Sequence, residues 1–366
     1  MRVDIVDPSA FTRPYDHALS AALARAGAHV RLVTSRFAYG SAPAPVGYQV
    51  AELFYRNAVG APGSRLRQAS KLAQHVPDML RYRRRAAAEA DVVHFQWLDL
   101  QWLDWALLPD RPLVLTAHDL LPREPRPGQA PAQRHLYDRV DAIVVHSEYG
   151  RRQLVDVLGI PANKVHVIHH GAFEYLTELD GELPPELART EGPVALFFGL
   201  LRPYKGIDVL LEAWRGIEDG ELWVVGMPRI PVEPLRTAAP ANVSVVPRFV
   251  SDGEQASLFR RADVIVIPYK CTERLDFSGV LAAALAFGKP IVLSDVGGFR
   301  EVAATGAGVL VPPDEPSALR TALQRVMQDP EERLGLSAAA AAAAAGPYSW
   351  DTAARQTLAL YGELTR

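Results

Sequence analysis

Residues 197–214 carry the side chains best suited to bind a phosphate group. They read FFGLLRPYKGIDVLLEAW: the end of an apolar strand, a glycine turn and the start of an amphipathic helix. The first turn of a helix has backbone N–H groups without intrahelical partners, and these attract anions. Arg202 and Lys205 add positive charge at the same point. The pattern therefore predicts a ligand that contains a diphosphate.

A second segment could contact the other phosphate of such a ligand. Ser278, Gly279 and Val280 precede a predicted helix over residues 281–287. The free N–H groups at its start could hold an anion. Alternatively, Ser278 is an ordinary helix cap. The two interpretations are compatible with each other.

Composition excludes several classes of protein. A chain of 366 residues predicts two domains, and the net charge of -3 gives no basic field to recruit nucleic acid. The single cysteine, Cys271, excludes an internal disulfide and fits a reducing compartment. No apolar run reaches the roughly 20 residues of a membrane-spanning helix. We therefore expect a cytoplasmic protein.

The elements that must position these residues follow a β-α-β rhythm. We predict strands at residues 3–6, 29–34, 91–95, 113–117, 142–146 and 164–168, and helices at 15–26 and about 64–90. An acidic, Pro-rich linker follows at 177–192, and further strands lie at 194–198, 221–225, 243–247, 264–268 and 290–293. This order predicts an α/β fold of two Rossmann-like halves with parallel sheets, and the cleft between them is the expected active site.

The end of the chain is ambiguous. Residues 337–345 are nearly all alanine, Gly346-Pro347 breaks the pattern, and a new helix is predicted over 348–364. The segment is either a disordered low-complexity tail or a packed helix. Tyr348, Trp350 and Tyr361 favour the packed helix.

The motifs, taken in order, resemble those of GT-B glycosyltransferases of family 4, the retaining type. They are DPSAFTRPYDHALSAALARAGAHV, TAHD, VVHSEYGRRQL, KVHVIHHGAF, FGLLRPYKGIDVLLEAW, LFRRADVIVIPY, SGVLAAALAFGKPIVLSDVGGFREV, GVLVPPDEPSAL and YSWDTAARQTLALY. The resemblance implies an acceptor-side domain over 1–176, completed by a crossing helix over 348–366. It also implies a nucleotide-sugar-binding domain over 192–346, facing the first across a cleft.

The resemblance further implies a reaction. A hexosyl group would move from a UDP- or GDP-linked sugar to the hydroxyl of a glycan, a lipid-linked molecule or a small molecule, with retention at the anomeric carbon. The nucleotide sugar is a co-substrate, and no cofactor is expected. The sequence has no Asp-X-Asp triplet and no His/Cys cluster at metal spacing, so we expect no catalytic metal. The nucleotide base, the sugar and the oligomeric state stay open.

Three residues take catalytic roles by this resemblance. Lys205 matches the lysine that family members place on the donor phosphates, with a solvated lysine as the alternative. His118, in TAHD, matches a histidine aimed at the transferred sugar, with a histidine satisfied by backbone hydrogen bonds as the alternative. Arg202 lies two residues after Leu200, where the family often has arginine, and is expected to reach the phosphate instead.

The donor side departs from the family pattern. Many members carry two glutamates seven residues apart, and the second, a ribose ligand, falls near Ala283 or Ala284 here. Asp276 or Glu273 stands near the first position. How the ribose is held is thus open, although other members with an SGV loop lack the pair as well. Arg248 matches a strand-end position near the nucleotide base, and Glu301 is expected near the cleft; a surface charge is the alternative for both. Gly199 is also expected on the donor side.

On the acceptor side we expect Ser9, Asp16 and Asp119. Ser9 stands where many members have a Gly-Gly pair. His169 and His170 replace a proline-asparagine sequence of the family and are interpreted as structural or cleft-lining. Three tryptophans near an acceptor-side loop could stack on a sugar or lipid, or pack the core: Trp97, Trp102 and Trp105.

Two further alternatives concern partners and activity. The run RYRRR at residues 81–85 could contact an anionic membrane surface, placing the protein peripherally at the inner membrane face, although a solvated helix face is favoured. A nucleotide-sugar epimerase of the same fold and a non-catalytic sugar-nucleotide-binding protein compete with the transferase. The retained Lys205 and His118 favour an enzyme.

Overall fold

The computed structural model describes residues 1–37, 44–121, 127–187, 192–271 and 276–366. Within them the chain divides into two compact units. The first unit comprises Met1–Gly171 together with Trp350–Arg366, and the second comprises Ala172–Ser349. The predicted linker is described only up to residue 187, and that part belongs to the second unit. Glu273 lies outside the described residues.

The described part of the first unit contains one sheet of seven parallel strands. They are β1 (Arg2–Asp7), β2 (His29–Ser35), β3 (Gln49–Phe54), β4 (Val92–Phe95), β5 (Leu113–Thr116), β6 (Ala142–Val145) and β7 (Val165–Val167). Their order across the sheet is β3-β2-β1-β4-β5-β6-β7. Every residue of β4, β5 and β6 is buried, as is usual in a parallel sheet with helices on both faces.

Helices connect these strands. They are α1 (Arg13–Arg25), α2 (Arg65–Glu89), α3 (Gln101–Asp104), α4 (Gln129–Arg139) and α5 (Glu148–Arg152), with a π-helical turn over Gln153–Val157 and a 3₁₀ helix over Ala162–Lys164. α1 has a proline in its first turn and is followed by Gly27 with a φ of 97°. Both residues suit a helix boundary.

The second unit repeats the plan with six parallel strands among its described residues. They are β8 (Val194–Phe198), β9 (Glu221–Val225), β10 (Val243–Val246), β11 (Val264–Ile267), β12 (Ile291–Ser294) and β13 (Gly308–Val311), in the order β10-β9-β8-β11-β12-β13. The helices are α6 (Ile207–Trp214), α7 (Glu233–Ala238), α8 (Asp252–Arg261), α9 (Gly279–Ala286), α10 (Phe299–Ala303), α11 (Pro316–Gln328) and α12 (Pro330–Ala345), with 3₁₀ helices over Glu174–Glu178 and Pro203–Lys205.

Each sheet reverses its strand order at its first strand. β1 lies between β2 and β4, and β8 lies between β9 and β11. Connections leave such a point toward opposite faces of the sheet, and the crevice between them is where open α/β sheets bind ligands. The loops after β1 and β4 and those after β8 and β11 are therefore the positions where a site is expected in each unit.

The sequence pattern places its predicted strands and bounded helices within two residues of the observed ones but misses β3 and β13. Both are edge strands. β3 exposes or half-exposes five of its six residues, and β13 half-exposes its first three. A strand at the edge need not form the buried apolar run on which the prediction depends.

The end of the chain is a packed helix. α12 ends at Gly346, and the final helix, α13 (Trp350–Leu364), belongs to the first unit. Tyr348, Trp350 and Tyr361 are all at most 5% exposed. The disordered-tail alternative is therefore wrong. α13 packs along α1, and the Tyr361 hydroxyl lies 2.6 Å from Nδ1 of His94 in β4.

We expect Tyr361→Phe to destabilise the first unit by about 1–3 kcal/mol, because it leaves a buried ring nitrogen without its partner. His94 is 1% exposed, so water cannot easily replace the hydroxyl. Urea unfolding of the variant and the wild type measures the difference. Equal stabilities would show that this hydrogen bond contributes nothing.

Candidate functional site

Three glycines shape the loop that follows β8. Gly199 and Gly206 have φ values of 112° and 68°, which few residues other than glycine adopt. A Cβ on Gly206 would lie 1.8 Å from the carbonyl oxygen of Pro268, and one on Gly226 would lie 1.8 Å from that of Gly199. The loop after β8 therefore packs, backbone against backbone, on the loops after β9 and β11.

The ammonium group of Lys205 lies beside Gly199. Lys205 is 6% exposed, and a Cβ on Gly199 would lie only 2.7 Å from its Nζ. The same Nζ lies 5.1 Å from the centroid of the Tyr269 ring, within the range of a cation–π interaction. The charge is thus held in one place next to a bare stretch of backbone. A solvated lysine, the alternative interpretation, does not fit this burial.

The start of α9 adjoins the same loop. Cγ2 of Val280 would lie 3.4 Å from a Cβ on Gly199. The side chain of Ser278 does not cap α9; its Oγ lies 3.2 Å from the hydroxyl of Tyr269. Tyr269 therefore links Lys205 to the start of α9. The structure brings Gly199, Lys205, Ser278 and Val280 together, with Gly279 between the last two.

Arg202 and Arg248 differ in what their guanidinium groups contact. Arg202 is half-buried, and its buried Nε has no hydrogen-bond partner among the residues that the structure describes. Arg248 makes ion pairs of 2.7 Å with both Glu186 and Glu254. Two carboxylates thus engage the Arg248 side chain within its own unit. This agrees with the surface-charge interpretation rather than with a side-chain contact to the base.

Asp276 precedes α9 and Glu301 follows it in the sequence, but both lie near Tyr348. Asp276 is fully buried, and Glu301, in α10, is half-buried. Burial raises the pKa of the Tyr348 hydroxyl, and the charges of Glu301 and Asp276 raise it further. The backbone oxygen of Asp276 also accepts from the N–H of Gly298, before α10.

In the first unit, side chains hold His118 directly after β5. Its Nε2 lies 3.2 Å from Oε1 of Gln96, and its Nδ1 lies 3.3 Å from Nε2 of His146. Nδ1 of His146 donates to the carbonyl oxygen of Ile168 at 2.9 Å, so Nε2 of a neutral His146 accepts. Both neighbours therefore offer acceptor atoms to the ring nitrogens of His118.

Aromatic rings enclose this histidine. The ring of Tyr15 lies edge-on to His118, His170 and Trp350, with centroid distances of 4.7, 4.9 and 5.0 Å. Trp97 stacks on the other side at 6.4 Å. His170 is 6% exposed. His118 itself is half-buried, so one part of the ring stays accessible.

The predicted acceptor-side residues differ in accessibility. Ser9 and Asp119 are half-buried, whereas Asp16 is only 1% exposed. Burial raises the pKa of Asp16 well above its ordinary value, and the adjoining carboxyl of Asp7 adds to the effect. Asp16 belongs to a buried carboxyl pair rather than to a ligand-accessible surface. Sequence position in α1 does not reveal this, because the partner lies in the preceding strand.

The comparisons with known proteins agree on one family. The model described as Glycosyltransferase Family 4 matches residues 15–172, and the model described as Glycosyl transferases group 1 matches residues 192–329. The chain is 31% identical over 390 residues to the D-inositol 3-phosphate glycosyltransferase of Xylanimonas cellulosilytica, covering 95% of this chain and 90% of that protein. The chain belongs to glycosyltransferase family 4.

Solved structures confirm the GT-B fold of this glycosyltransferase. Sucrose-phosphate synthase from Thermosynechococcus elongatus matches with a TM-score of 0.76 at 20% identity, covering 100% of this chain and 99% of the other. Anabaena HepE in complex with UDP-glucose matches with a TM-score of 0.74 at 19% identity, covering 99% and 100%. The predicted fold and family are confirmed, and so is the assignment as an enzyme.

Three residues of the two candidate sites were not identified by sequence analysis: Gln96, His146 and Tyr269. Gln96 directly follows β4, His146 directly follows β6, and Tyr269 lies two residues after β11. All three lie at the carboxyl ends of strands, where ligands of such sheets bind. That position alone was a usable signal, but no chemical pattern in the sequence joined them to Lys205 or His118.

The arginines of the basic run in α2 are exposed. Arg81, Arg83, Arg84 and Arg85 are exposed, and Tyr82, between them, is 1% exposed. Arg85 pairs with Glu89 at 2.7 Å.

Of the three tryptophans considered for an acceptor, Trp102 and Trp105 are 62% and 38% exposed. None of the helices among the described residues combines the length and apolarity needed to cross a bilayer.

Acidification from pH 7 to pH 5 is expected to destabilise the first unit of the glycosyltransferase. Burial lowers the pKa of His94 and His170 to about 3 and of His146 to about 4. The unfolded chain therefore binds more protons below about pH 6.5, and stability falls as the pH drops. Each such histidine adds a slope of about 1.4 kcal/mol per pH unit.

A variant separates this contribution from other titrating groups. His94→Gln should lower the stability at pH 7 yet reduce the loss between pH 7 and pH 5, because one of the histidines with a lowered pKa is gone. Thermal melting of both proteins at the two pH values is the measurement. The same loss on acidification in both proteins would contradict the assignment.

Proposed function

We propose that this glycosyltransferase moves a hexosyl group from a UDP- or GDP-linked sugar to an acceptor hydroxyl, with retention of the anomeric configuration and without a bound metal ion. One observation carries the donor half of the proposal. The ammonium of Lys205 is fixed beside Gly199, next to the starts of α6 and α9. A cation and two helix starts at one point suit a diphosphate.

The proposed reaction needs little from the protein beyond positioning and charge. The bond between the anomeric carbon and the diphosphate oxygen breaks on the face where the bond to the acceptor oxygen forms. The acceptor's proton passes to the departing diphosphate. Negative charge grows on that diphosphate, so a preorganised cation lowers the barrier. Lys205 supplies it, with the half-buried Arg202 as a second source.

Several observations support the finer parts of the proposal. The structurally similar HepE binds UDP-glucose, which supports UDP as one donor base. The sequence lacks an Asp-X-Asp triplet, and a lysine in the phosphate site supplies the charge that a metal would otherwise provide. Ala283 and Ala284 are fully buried in α9, so the ribose needs another partner than a glutamate there.

For the acceptor half, we propose that His118 contacts the transferred sugar and that Asp119 and Ser9 lie toward the acceptor. The acceptor is a glycan, a lipid-linked molecule or a small molecule. A cytoplasmic protein with weak contact between the exposed arginines of α2 and an anionic membrane surface fits the lipid-linked case. Salt-sensitive sedimentation with phosphatidylglycerol vesicles tests that contact.

The proposal is tested by thermal shift and product analysis. Purified protein is melted with UDP, GDP, ADP, dTDP and their sugars, each with and without a chelator. A ligand of the folded state raises the melting temperature by mass action. We expect a shift with UDP or GDP that the chelator does not change, and an NMR product spectrum with the donor's anomeric configuration. No shift, loss of the shift with chelator, or an inverted product would refute the corresponding part.

A further inference from the structure

Four side chains that are not among the residues around His118 meet at the carboxyl ends of β1, β3 and β4. Ser9, Tyr55 and Asp99 follow these three strands, and Lys71 extends from α2. The Ser9 hydroxyl donates to Oδ2 of Asp99, and the Tyr55 hydroxyl donates to the same oxygen at 3.3 Å. Nζ of Lys71 donates to Oγ of Ser9 at 3.2 Å. We call these four residues the polar cluster.

The polar cluster has hydrogen-bonding capacity left over. Ser9, Lys71 and Asp99 are half-buried, so solvent reaches them. Among the described residues, the hydrogen bonds to the Asp99 side chain all use Oδ2, and Lys71 uses one of its three N–H donors. An acceptor oxygen and two donor hydrogens therefore remain at one place. A ligand with neighbouring hydroxyl groups could donate to this oxygen and accept from these hydrogens, because a hydroxyl both donates and accepts.

An aromatic surface adjoins the polar cluster. Phe11 stacks on Trp97 with ring centroids 4.6 Å apart and an angle of 19° between the planes. Phe11 is nevertheless 64% exposed, so the face that Trp97 does not cover is open. Phe11 lies two residues from Ser9, and Trp97 lies two residues from Asp99. The same two loops thus present both an aromatic face and polar groups, the combination that holds the apolar face and the hydroxyls of a sugar ring.

The backbone of these loops is strained. Three residues other than glycine have a positive φ in the part of the chain that the structure describes: Ala10 at 53°, Tyr55 at 52° and Asp314 at 59°. Ala10 lies between Ser9 and Phe11, and Tyr55 belongs to the polar cluster. Such a conformation is unfavourable for residues other than glycine and is found most often where function requires a particular backbone geometry. Two of the three instances fall within this one surface.

Charge distinguishes between neutral and anionic ligands. Lys71 and Asp99 balance each other across the Ser9 hydroxyl. The carboxyl of Asp7 lies behind them and accepts from the N–H of Ser9 at 3.2 Å. A phosphate placed against the unused oxygen of Asp99 would face a carboxylate. The surface therefore suits an uncharged ligand.

We propose that the polar cluster and the Phe11–Trp97 pair form the acceptor subsite, and that the acceptor part bound there is an uncharged polyol ring, a sugar or a cyclitol. A C–H face of the ring lies on Phe11, and adjacent hydroxyls bond to Asp99 and Lys71. The inference rests on the proposed function, because it takes the transferase's acceptor as the ligand. The residues of the acceptor subsite determine whether the protein binds a neutral ring or the phosphate ester of that ring.

Binding can be measured without any transfer reaction. Saturation-transfer difference NMR is recorded with glucose, mannose and myo-inositol, and with the monophosphate of each. We expect signal on the C–H protons of the neutral rings and weaker binding of the monophosphates. Phe11→Ala should reduce the neutral-ring signal at least fivefold. Phe249→Ala, which removes a 57% exposed phenylalanine of the second unit, is the matched control and should leave it unchanged.

Kinetics test the polar half of the subsite. With a saturating nucleotide sugar, Asp99→Asn should raise KM for the neutral acceptor by about 10- to 100-fold, as expected for a lost hydrogen bond to a charged group. Asp110→Asn, at an exposed position of the same unit, is the control for the charge change. Melting curves confirm that each variant is folded.

The outcomes separate the two proposals. Neutral rings that bind to the wild type and weaken in Phe11→Ala and Asp99→Asn, without transfer from any nucleotide sugar, would support the subsite and refute the proposed reaction. Transfer with an unchanged KM in both variants would overturn the subsite. So would monophosphates that bind more tightly than the neutral rings, or a wild type that binds none of the neutral rings.

Discussion

Lys205→Met is expected to lower kcat for glycosyl transfer by about 100- to 1000-fold, the cost of removing one preorganised charge from a transition state. Methionine keeps most of the apolar stem, so the space beside Gly199 stays filled while the ammonium disappears. The charge that grows on the departing diphosphate then has no lysine next to it. Initial rates at saturating donor and acceptor measure the effect.

Lys270 provides a matched control for this substitution. It lies in the same unit, is only partly exposed, and pairs with Asp208 at 2.6 Å. Lys270→Met removes the same charge from the unit, but not from the loop after β8, and should change kcat less than threefold. Equal losses in the two variants would show that Lys205 acts through the general field of the unit. Unchanged kcat in Lys205→Met would remove it from the reaction.

Gly206→Ala is expected to destabilise the second unit by about 4 kcal/mol, among the larger effects of single substitutions. The residue has a φ of 68°, and its Cβ would lie 1.8 Å from the carbonyl oxygen of Pro268. Neither atom can move without moving the backbone, because the Cβ is bonded directly to the Cα of residue 206 and the oxygen belongs to the backbone of Pro268. Urea unfolding at pH 7 measures the loss.

Gly335→Ala gives the opposite result and serves as the control. Gly335 lies inside α12, where a Cβ would have no neighbouring atom within 4 Å in the described part of the chain. Alanine there should stabilise the helix by about 1 kcal/mol, because glycine is the poorer helix former. A Gly206→Ala protein as stable as the wild type would mean that the loops after β8 and β11 can separate without cost.

Much of the fold was predictable because its strands are buried on both faces. β5, β6, β11 and β12 read as short continuous apolar runs, and glycine, proline or polar residues mark their ends. The same logic fails at sheet edges, where burial no longer dictates residue type. The failure to predict β3 has this cause, because its partly exposed residues form a weaker apolar pattern than those of the central strands.

The candidate site was predictable in part, and for a different reason. Lys205, Gly199 and Ser278 stand in local motifs whose geometry depends on neighbouring residues in the sequence. Tyr269 contacts both Lys205 and Ser278, but only because β11 lies next to β8 in the sheet. Such contacts depend on strand order, which no local pattern contains.

Arg248 and Asp16 show the converse limitation. Both have the residue type of a ligand contact, and Arg248 lies near the end of a strand whereas Asp16 lies near the start of a helix. The carboxylates of Glu186 and Glu254 engage Arg248, and burial beside Asp7 withdraws Asp16 from solvent. A charged residue near a predicted site is informative only once its own partners are known.

The position of α13 has a consequence for synthesis of the chain on the ribosome. The strands of the first unit emerge first. The helix α13, whose Tyr361 contacts His94, emerges only after the whole second unit. A chain interrupted before Trp350 would hold all residues of the second unit but an unfinished first one. Proteases and chaperones would then recognise the incompletely folded first unit, near the amino terminus, although the missing residues lie at the carboxyl terminus.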